Sequence, residues 1–381
     1  MILYFNAAWL NHPAVKQTII DHRGTDTFSK LTNLDKLNVS HTAWYSRTGT
    51  NQLPFKNGLI DVPGFAMPKY NPNCNLSWTD VTDQRCLDLR ASDWHRPWVI
   101  FWSGGIDSTV IVASIIKNLP PADFDNITIA CSSLSVWENP QFYFDHIKPN
   151  FKVVDSLKLL SEDFDSQDAC IIDGEPSDQL FGDGGEYLPI LYQNPELLQT
   201  DIIKNKDCAV DFIASLRTDK NFAEWYYHVL ITSAHQAGVP ITSLYQLMWW
   251  SAFSNAWTSV KLRFIAVTNG NWKNLKDVKS YFDKFVHWYD SDGYQQWAMN
   301  PAHVGEKIGT RVTDFKLAPK KYIYSVDKNK YYFDFKTKVG SADICPDLRS
   351  GPWCCIDHNW NLLNLTDHQD QIISMLPDHL V

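Results

Sequence analysis

A short, continuous apolar run, Trp98-Val-Ile-Phe-Trp102, leads straight into Ser103-Gly-Gly-Ile-Asp-Ser-Thr109. A helix-compatible stretch, 110–119, follows and is ended by Pro120-Pro121. Apolar continuity without alternation is what a strand buried on both faces requires. The middle of the chain is therefore constrained to a strand–loop–helix unit. Further strand candidates at 127–131, 151–154 and 169–174 are separated by helix-length segments. That alternation predicts an α/β fold built on a doubly wound parallel sheet.

The loop itself points to anion chemistry. A loop that opens a helix exposes backbone N–H groups at the positive end of the helix dipole. Gly104 and Gly105 let an anion approach the backbone, while Ser103 and Ser108 add hydroxyls. Asp107 has the wrong sign for a phosphate, so it needs a cation between them, most simply Mg²⁺. No Gly-Lys-Ser/Thr follows, so this is not a Walker loop, and the third glycine of the dinucleotide fingerprint is missing. An ordinary glycine turn with a serine cap is the plain alternative.

Of 381 residues, 44% are hydrophobic and 20% charged, which allows a sizeable core and excludes global disorder. The net charge of −9 argues against a broad footprint for nucleic acid or an anionic membrane, though not against a local basic pocket. No apolar run approaches the ~20 residues of a membrane span. The N-terminus, Met-Ile-Leu-Tyr-Phe-Asn, lacks the basic start and long apolar stretch of a secretory signal. The eight cysteines, spread at 74, 86, 131, 170, 208, 345, 354 and 355, read as reduced thiols, and the expected location is cytoplasmic.

Residues 1–95 read as a small β- or loop-rich N-terminal region without a sustained helical period. The core is expected at about 96–190 and a helical extension at about 191–381. Within that extension, 197–216, 222–237, 241–267 and 278–289 read as helices, and 322–325 and 331–335 as short strands or a hairpin. Sixteen Trp, 16 Tyr and 20 Phe, many in the second half, predict a heavily packed aromatic helical core. Cys345, Cys354, Cys355 and His358 offer zinc-type ligands, but adjacent cysteines fit one ion poorly, so packing or inert thiols is the favoured expectation.

Ser-Gly-Gly-x-Asp-Ser at 103–108 resembles the signature of the PP-loop ATP pyrophosphatases, which have an adenine nucleotide alpha hydrolase-like fold. A second segment, Gly174-Glu-Pro-Ser-Asp-Gln-Leu-Phe-Gly182, is similar to the Gly-Glu-Gly-Ala-Asp-Glu-Leu-Phe-Gly of the asparagine synthetase synthase domain. Glu175, Asp178, Leu180, Phe181 and Gly182 agree, whereas Pro176, Ser177 and Gln179 depart from it. The resemblance implies ATP and Mg²⁺ as cofactors, with ATP held by Ser103, Gly104, Gly105, Asp107, Ser108, Thr109 and Gly174. It implies that Asp107 and Asp178 hold Mg²⁺ on the pyrophosphate and that Glu175 sits beside the reacting carboxyl or amine. It also implies a catalytic lysine in Pro319-Lys-Lys-Tyr-Ile-Tyr-Ser325, with Lys321 preferred over Lys320, although Ser325 stands where the family has Arg. If the strand order follows the family, 98–102 and 169–174 are neighbours. Lys261 and Arg263 are further candidate substrate contacts.

The resemblance thus implies a ligase that adenylates a carboxylate, releases pyrophosphate and couples the acyl group to ammonia or an amine. Glutamine-dependent members begin with Cys as residue 2, whereas this chain has Ile2. A glutaminase without its thiolate nucleophile is not expected, so nitrogen would come from free ammonia, a substrate amine or a separate glutaminase partner. An enzyme modifying a nucleotide or nucleobase, or a non-catalytic nucleotide-binding protein, would use the same loop.

Overall fold

The structure, a computed structural model, describes residues 20–21, 47, 50–55, 58–63, 65–156, 159, 169–182, 187–216, 219–258, 260–261, 285–336, 354–356 and 362–364. Two compact units emerge. One, the helical unit, comprises Met1–Cys74, Pro176–Phe264 and Ala298–Pro301; the other, the sheet unit, comprises Asn75–Glu175, Ile265–Trp297 and Ala302–Val381. The sheet unit starts at Asn75 rather than near residue 96.

In the helical unit, β1 (Thr50–Phe55) and β2 (Gly58–Pro63) form an antiparallel hairpin. The sheet unit opens with α1 (Trp78–Asp93), then β3 (Trp98–Phe101), α2 (Ile106–Asn118), β4 (Ile127–Cys131), α3 (Ser133–Glu138) and β5 (Lys152–Asp155). The chain then returns as β6 (Cys170–Asp173) and later β7 (Phe285–His287). The five strands lie in the order β5-β4-β3-β6-β7, and every pairing is parallel. The apolar runs explain this. Trp98, Ile100, Ile127, Ile129, Cys170 and Ile172 are essentially inaccessible, as strands covered on both faces must be. The strand that carries the glycine loop, β3, and the strand that ends at Asp173, β6, are neighbours. Between them the winding reverses, the place where open α/β sheets form a crevice beyond their carboxyl ends.

Some expectations need correction. The N-terminal stretch does contain a sustained helix: α1 begins with a capping box in which Ser77 Oγ accepts from Asp80 N–H (3.1 Å) and Asp80 Oδ2 accepts from Ser77 N–H (3.2 Å). Trp78, Val81, Thr82, Cys86 and Leu89 are buried, a helical stripe diluted by polar residues. The segment expected as one helix at 197–216 is broken into Pro195–Leu198 and Lys206–Ser215, because Asp201 Oδ1 accepts the N–H groups of Ile203 and Lys204 and turns the chain. Of the expected helix at 278–289, residues 278–284 lie outside the described residues and 285–287 are β7.

In the helical unit, α4 (Ser177–Phe181), α5 (Lys220–Ala237) and α6 (Leu244–Ser251) carry the aromatic core, and α6 continues as a π-helical turn, Ala252–Ala256. Tyr226, Tyr245, Trp249, Trp250, Phe253 and Trp257 are all buried. Trp249 Nε1 donates to Leu180 O (3.0 Å) and Tyr245 OH to Phe181 O (2.9 Å), so α4 is held by indole and phenol donors.

The sheet unit resumes with α7 (Val304–Ile308), α8 (Leu317–Asp327), α9 (Lys330–Phe335) and an antiparallel pair, β8 (Cys354–Ile356) with β9 (Leu362–Asn364). The strands or hairpin expected at 322–325 and 331–335 are therefore helices. Ala318, Tyr322 and Ile323 recur at helical spacing on the buried face of α8, and Asn329 Oδ1 caps α9 by accepting from Tyr332 N–H (2.9 Å).

Candidate functional site

At the carboxyl end of β3 the chain passes through Trp102 and Ser103 into Gly104, whose φ of +77° is left-handed. A side chain here would also meet Ser135 O at 2.2 Å, so only glycine fits. Gly105 caps α2 with no side-chain hydrogen bond, which leaves the first turn's backbone N–H groups to other acceptors. The serines tie the loop to itself: Ser108 Oγ accepts from Ser103 N–H (3.0 Å) and lies 3.1 Å from Ser103 Oγ, which accepts from Gly105 N–H (3.3 Å). Thr109 is fully buried, and its hydroxyl accepts from the Trp102 indole at 3.1 Å, so this side chain serves the loop's packing rather than a ligand.

The exit of β6 closes on the same turn. A Cβ on Gly174 would lie 3.3 Å from Asp107 Cβ and 3.4 Å from Ser108 N, so glycine lets the two strand ends approach. Asp173, buried at the end of β6, holds His287 Nδ1 at 2.9 and 3.0 Å from its two oxygens and accepts from Glu175 N–H at 3.0 Å. Glu175 itself is half-buried.

Basic side chains reach the loop from the C-terminal helices. Lys316 Nζ lies 2.5 and 2.6 Å from the Asp107 carboxylate oxygens, with the lysine side chain 2% exposed and the aspartate 28%. Lys316 takes a left-handed conformation (φ 60°, ψ 44°), unusual for a residue with a side chain, and its N–H donates to Lys307 O at 2.7 Å. Tyr289 OH donates to Asp107 O (2.8 Å), Tyr332 OH to Gly104 O (3.3 Å), and Lys336 pairs with Glu138 beside the glycines. Burial alone drops Lys307 to about 7, and burial chiefly drops Lys320, which donates to Thr313 O, to about 7.

This arrangement suits a phosphate. It offers side-chain-free backbone at Gly104 and Gly105, the N-terminus of a thirteen-residue helix, and buried cations within reach of its first turn. Magnesium is a narrower fit. Among the described residues no group of three or more His, Cys, Asp or Glu side chains converges on a metal position. Mg²⁺ held with phosphates needs only one or two carboxylates, and Asp107 could supply one by sharing or releasing Lys316.

Ser103, Gly104, Gly105, Asp107, Ser108, Gly174 and Glu175 thus come together in the sheet unit. Asp178 lies on α4 of the helical unit. Lys321 is exposed on α8; the lysine at the loop is Lys316. Lys261 is buried in the helical unit with Nζ 3.3 Å from the Phe65 ring centroid. Arg263, Cys345 and His358 lie outside the described residues, as do the side chains of Cys354 and Cys355. Among the described residues, Cys74, Cys86, Cys131, Cys170 and Cys208 carry reduced thiols. Sequence reasoning missed Lys316, Lys336, Tyr332 and the Asp173–His287 pair; only the apolar run ending in Asp173 marked any of them.

Comparison of the chain with known protein families and with curated proteins finds no match. No described helix is long and apolar enough to cross a membrane.

Proposed function

We propose that this chain is an ATP-dependent carbon–nitrogen ligase of the PP-loop, asparagine synthetase-like kind. The observation that carries the reading is the juxtaposition, at the reversal of the sheet, of a glycine cradle at a helix N-terminus, the Asp107–Lys316 pair and the Gly174–Glu175 turn. The loop N–H groups would hold the phosphates of ATP, and Lys316 would neutralise charge that develops on the departing pyrophosphate. Asp107 is the carboxylate of the sheet unit that would hold bound Mg²⁺, which would share that neutralisation.

The chemistry proceeds in two displacements. A substrate carboxylate oxygen attacks the α-phosphorus, the α–β bridging P–O bond breaks, and pyrophosphate leaves. The nitrogen of ammonia or an amine then attacks the acyl carbon, the acyl–phosphate bond breaks, and AMP leaves. Glu175, carried on the turn after β6, would accept the proton lost by nitrogen. Positioning supplies much of the rate, since both strand ends are fixed by buried pairing.

One observation favours nucleotide binding without turnover. Lys316 already satisfies Asp107, so the loop is charge-compensated before any ligand arrives. Pyrophosphate release from Mg-ATP, measured against a panel of carboxylic acids with ammonia or simple amines and with Asp107→Ala beside it, separates the two. Acid-dependent release lost in the variant supports the ligase; tight ATP binding without release supports the binding role.

A further inference from the structure

We infer that His287 is a positioning residue for the Glu175 turn, acting through Asp173. The inference deepens the ligase reading and rests on it for its catalytic consequence. Asp173 ends β6 and His287 ends β7, directly opposite in the parallel register. Both side chains are nearly inaccessible, at 4% for the aspartate and 3% for the histidine. An isolated carboxyl in such a place is costly unless its oxygens are hydrogen-bonded. Here one oxygen takes the Glu175 N–H at 3.0 Å, and both lie within 3.0 Å of Nδ1 of His287.

The histidine is itself anchored. Arg85, from α1, donates to His287 O at 3.1 Å and to Trp288 O at 2.9 Å, and Trp288 N–H donates to Asp173 O at 3.0 Å. The carboxyl group is therefore fixed from the ring side and passes that fixation to the backbone of Glu175. Asp173 has no freedom to rotate away without breaking a buried bond to His287. Gly174, between anchor and base, is the residue that packs on Asp107 and Ser108. A shift of this turn moves Glu175 against the phosphate loop. His287 reaches this turn through the Asp173 carboxylate, so its effect is on placement.

Two variants test this: His287→Ala removes the ring, and His287→Asn puts an amide N–H where Nδ1 stands. For each, the turnover number and KM for Mg-ATP in pyrophosphate release, the Kd for Mg-ATP by calorimetry, and amide hydrogen exchange at Glu175 are measured. His287→Ala is expected to lower turnover by about 100-fold, as a displaced catalytic group does, with Kd for Mg-ATP changed less than about threefold and Glu175 exchange accelerated. His287→Asn is expected to recover most of the turnover and the protection. Parent-like turnover in His287→Ala, or His287→Asn folded yet as impaired as His287→Ala, overturns the inference. If the parent protein releases no pyrophosphate, the ligase reading fails instead. The exchange at Glu175 then still decides whether His287 fixes the turn, and unchanged protection in His287→Ala overturns it.

Discussion

Lys316 and Asp107, 209 positions apart, are joined by an ammonium that lies 2.5 and 2.6 Å from the two carboxylate oxygens. The pair welds the turn before α8 to the first turn of α2, and it sits where a phosphate would need a cation. Lys316→Met leaves Asp107 without its buried partner. Because Asp107 keeps partial contact with water, the expected loss is roughly 3 kcal/mol, the low end for a broken buried pair. Denaturant unfolding measures it. Lys316→Met combined with Asp107→Asn removes both charges and should regain most of that stability. Pyrophosphate release should stay down by about 100-fold in both variants. A double variant with parental turnover would show that the pair is structural only.

Lys321 and Lys316 make opposite predictions. Lys321 is exposed on α8, whereas the Lys316 side chain is 2% exposed against the loop. Lys321→Ala should leave pyrophosphate release within about twofold and stability within ~0.5 kcal/mol, as for an ordinary surface site. A large loss of turnover with an unchanged Kd for Mg-ATP would return the catalytic lysine to position 321.

Gly104→Ala tests the cradle. The left-handed conformation alone costs roughly 1–2 kcal/mol for a residue with a Cβ, and the new methyl would have to displace Ser135 O from 2.2 Å. Mg-ATP affinity is expected to fall at least about tenfold, with the thermal midpoint lowered as well. Retained affinity in a folded variant would remove the loop from the nucleotide site.

The apolar runs at 98–102, 127–131 and 169–174 made three strands and their parallel pairing legible, because burial on both faces leaves an unbroken hydrophobic signature. The glycine loop was equally plain. By contrast, α1 carries its buried stripe among nine other polar residues, and only Ser77 with Asp80 announced its start. Aromatic density misled the reading of α8 and α9: Tyr-Ile-Tyr and Tyr-Tyr-Phe favour strands by propensity, while Asn329 capping and packing against the sheet unit impose helices. His287 and Lys316 were invisible for a different reason. Each reaches its partner only through sheet register or a left-handed turn, and neither leaves a local pattern.

The buried lysines should give stability a definite dependence on pH. Lys307 and Lys320 are both pushed down to about 7, against 10.5 when unfolded, because burial disfavours the charged form. Between about pH 7 and 10.5 the unfolded chain therefore binds more protons than the folded one, and stability rises with pH across that window. Below about 7 both states are protonated and this contribution is flat. Each lysine adds at most about 1.4 kcal/mol per pH unit. Burial raises Tyr294 and Tyr322 above 10, which reverses the slope at still higher pH. Unfolding by urea at pH 7.5 and 9.5 should show greater stability at 9.5, and Lys307→Met should remove about half of the difference. An unchanged difference would mean that Lys307 keeps its proton in the fold, held by a partner strong enough to offset its burial.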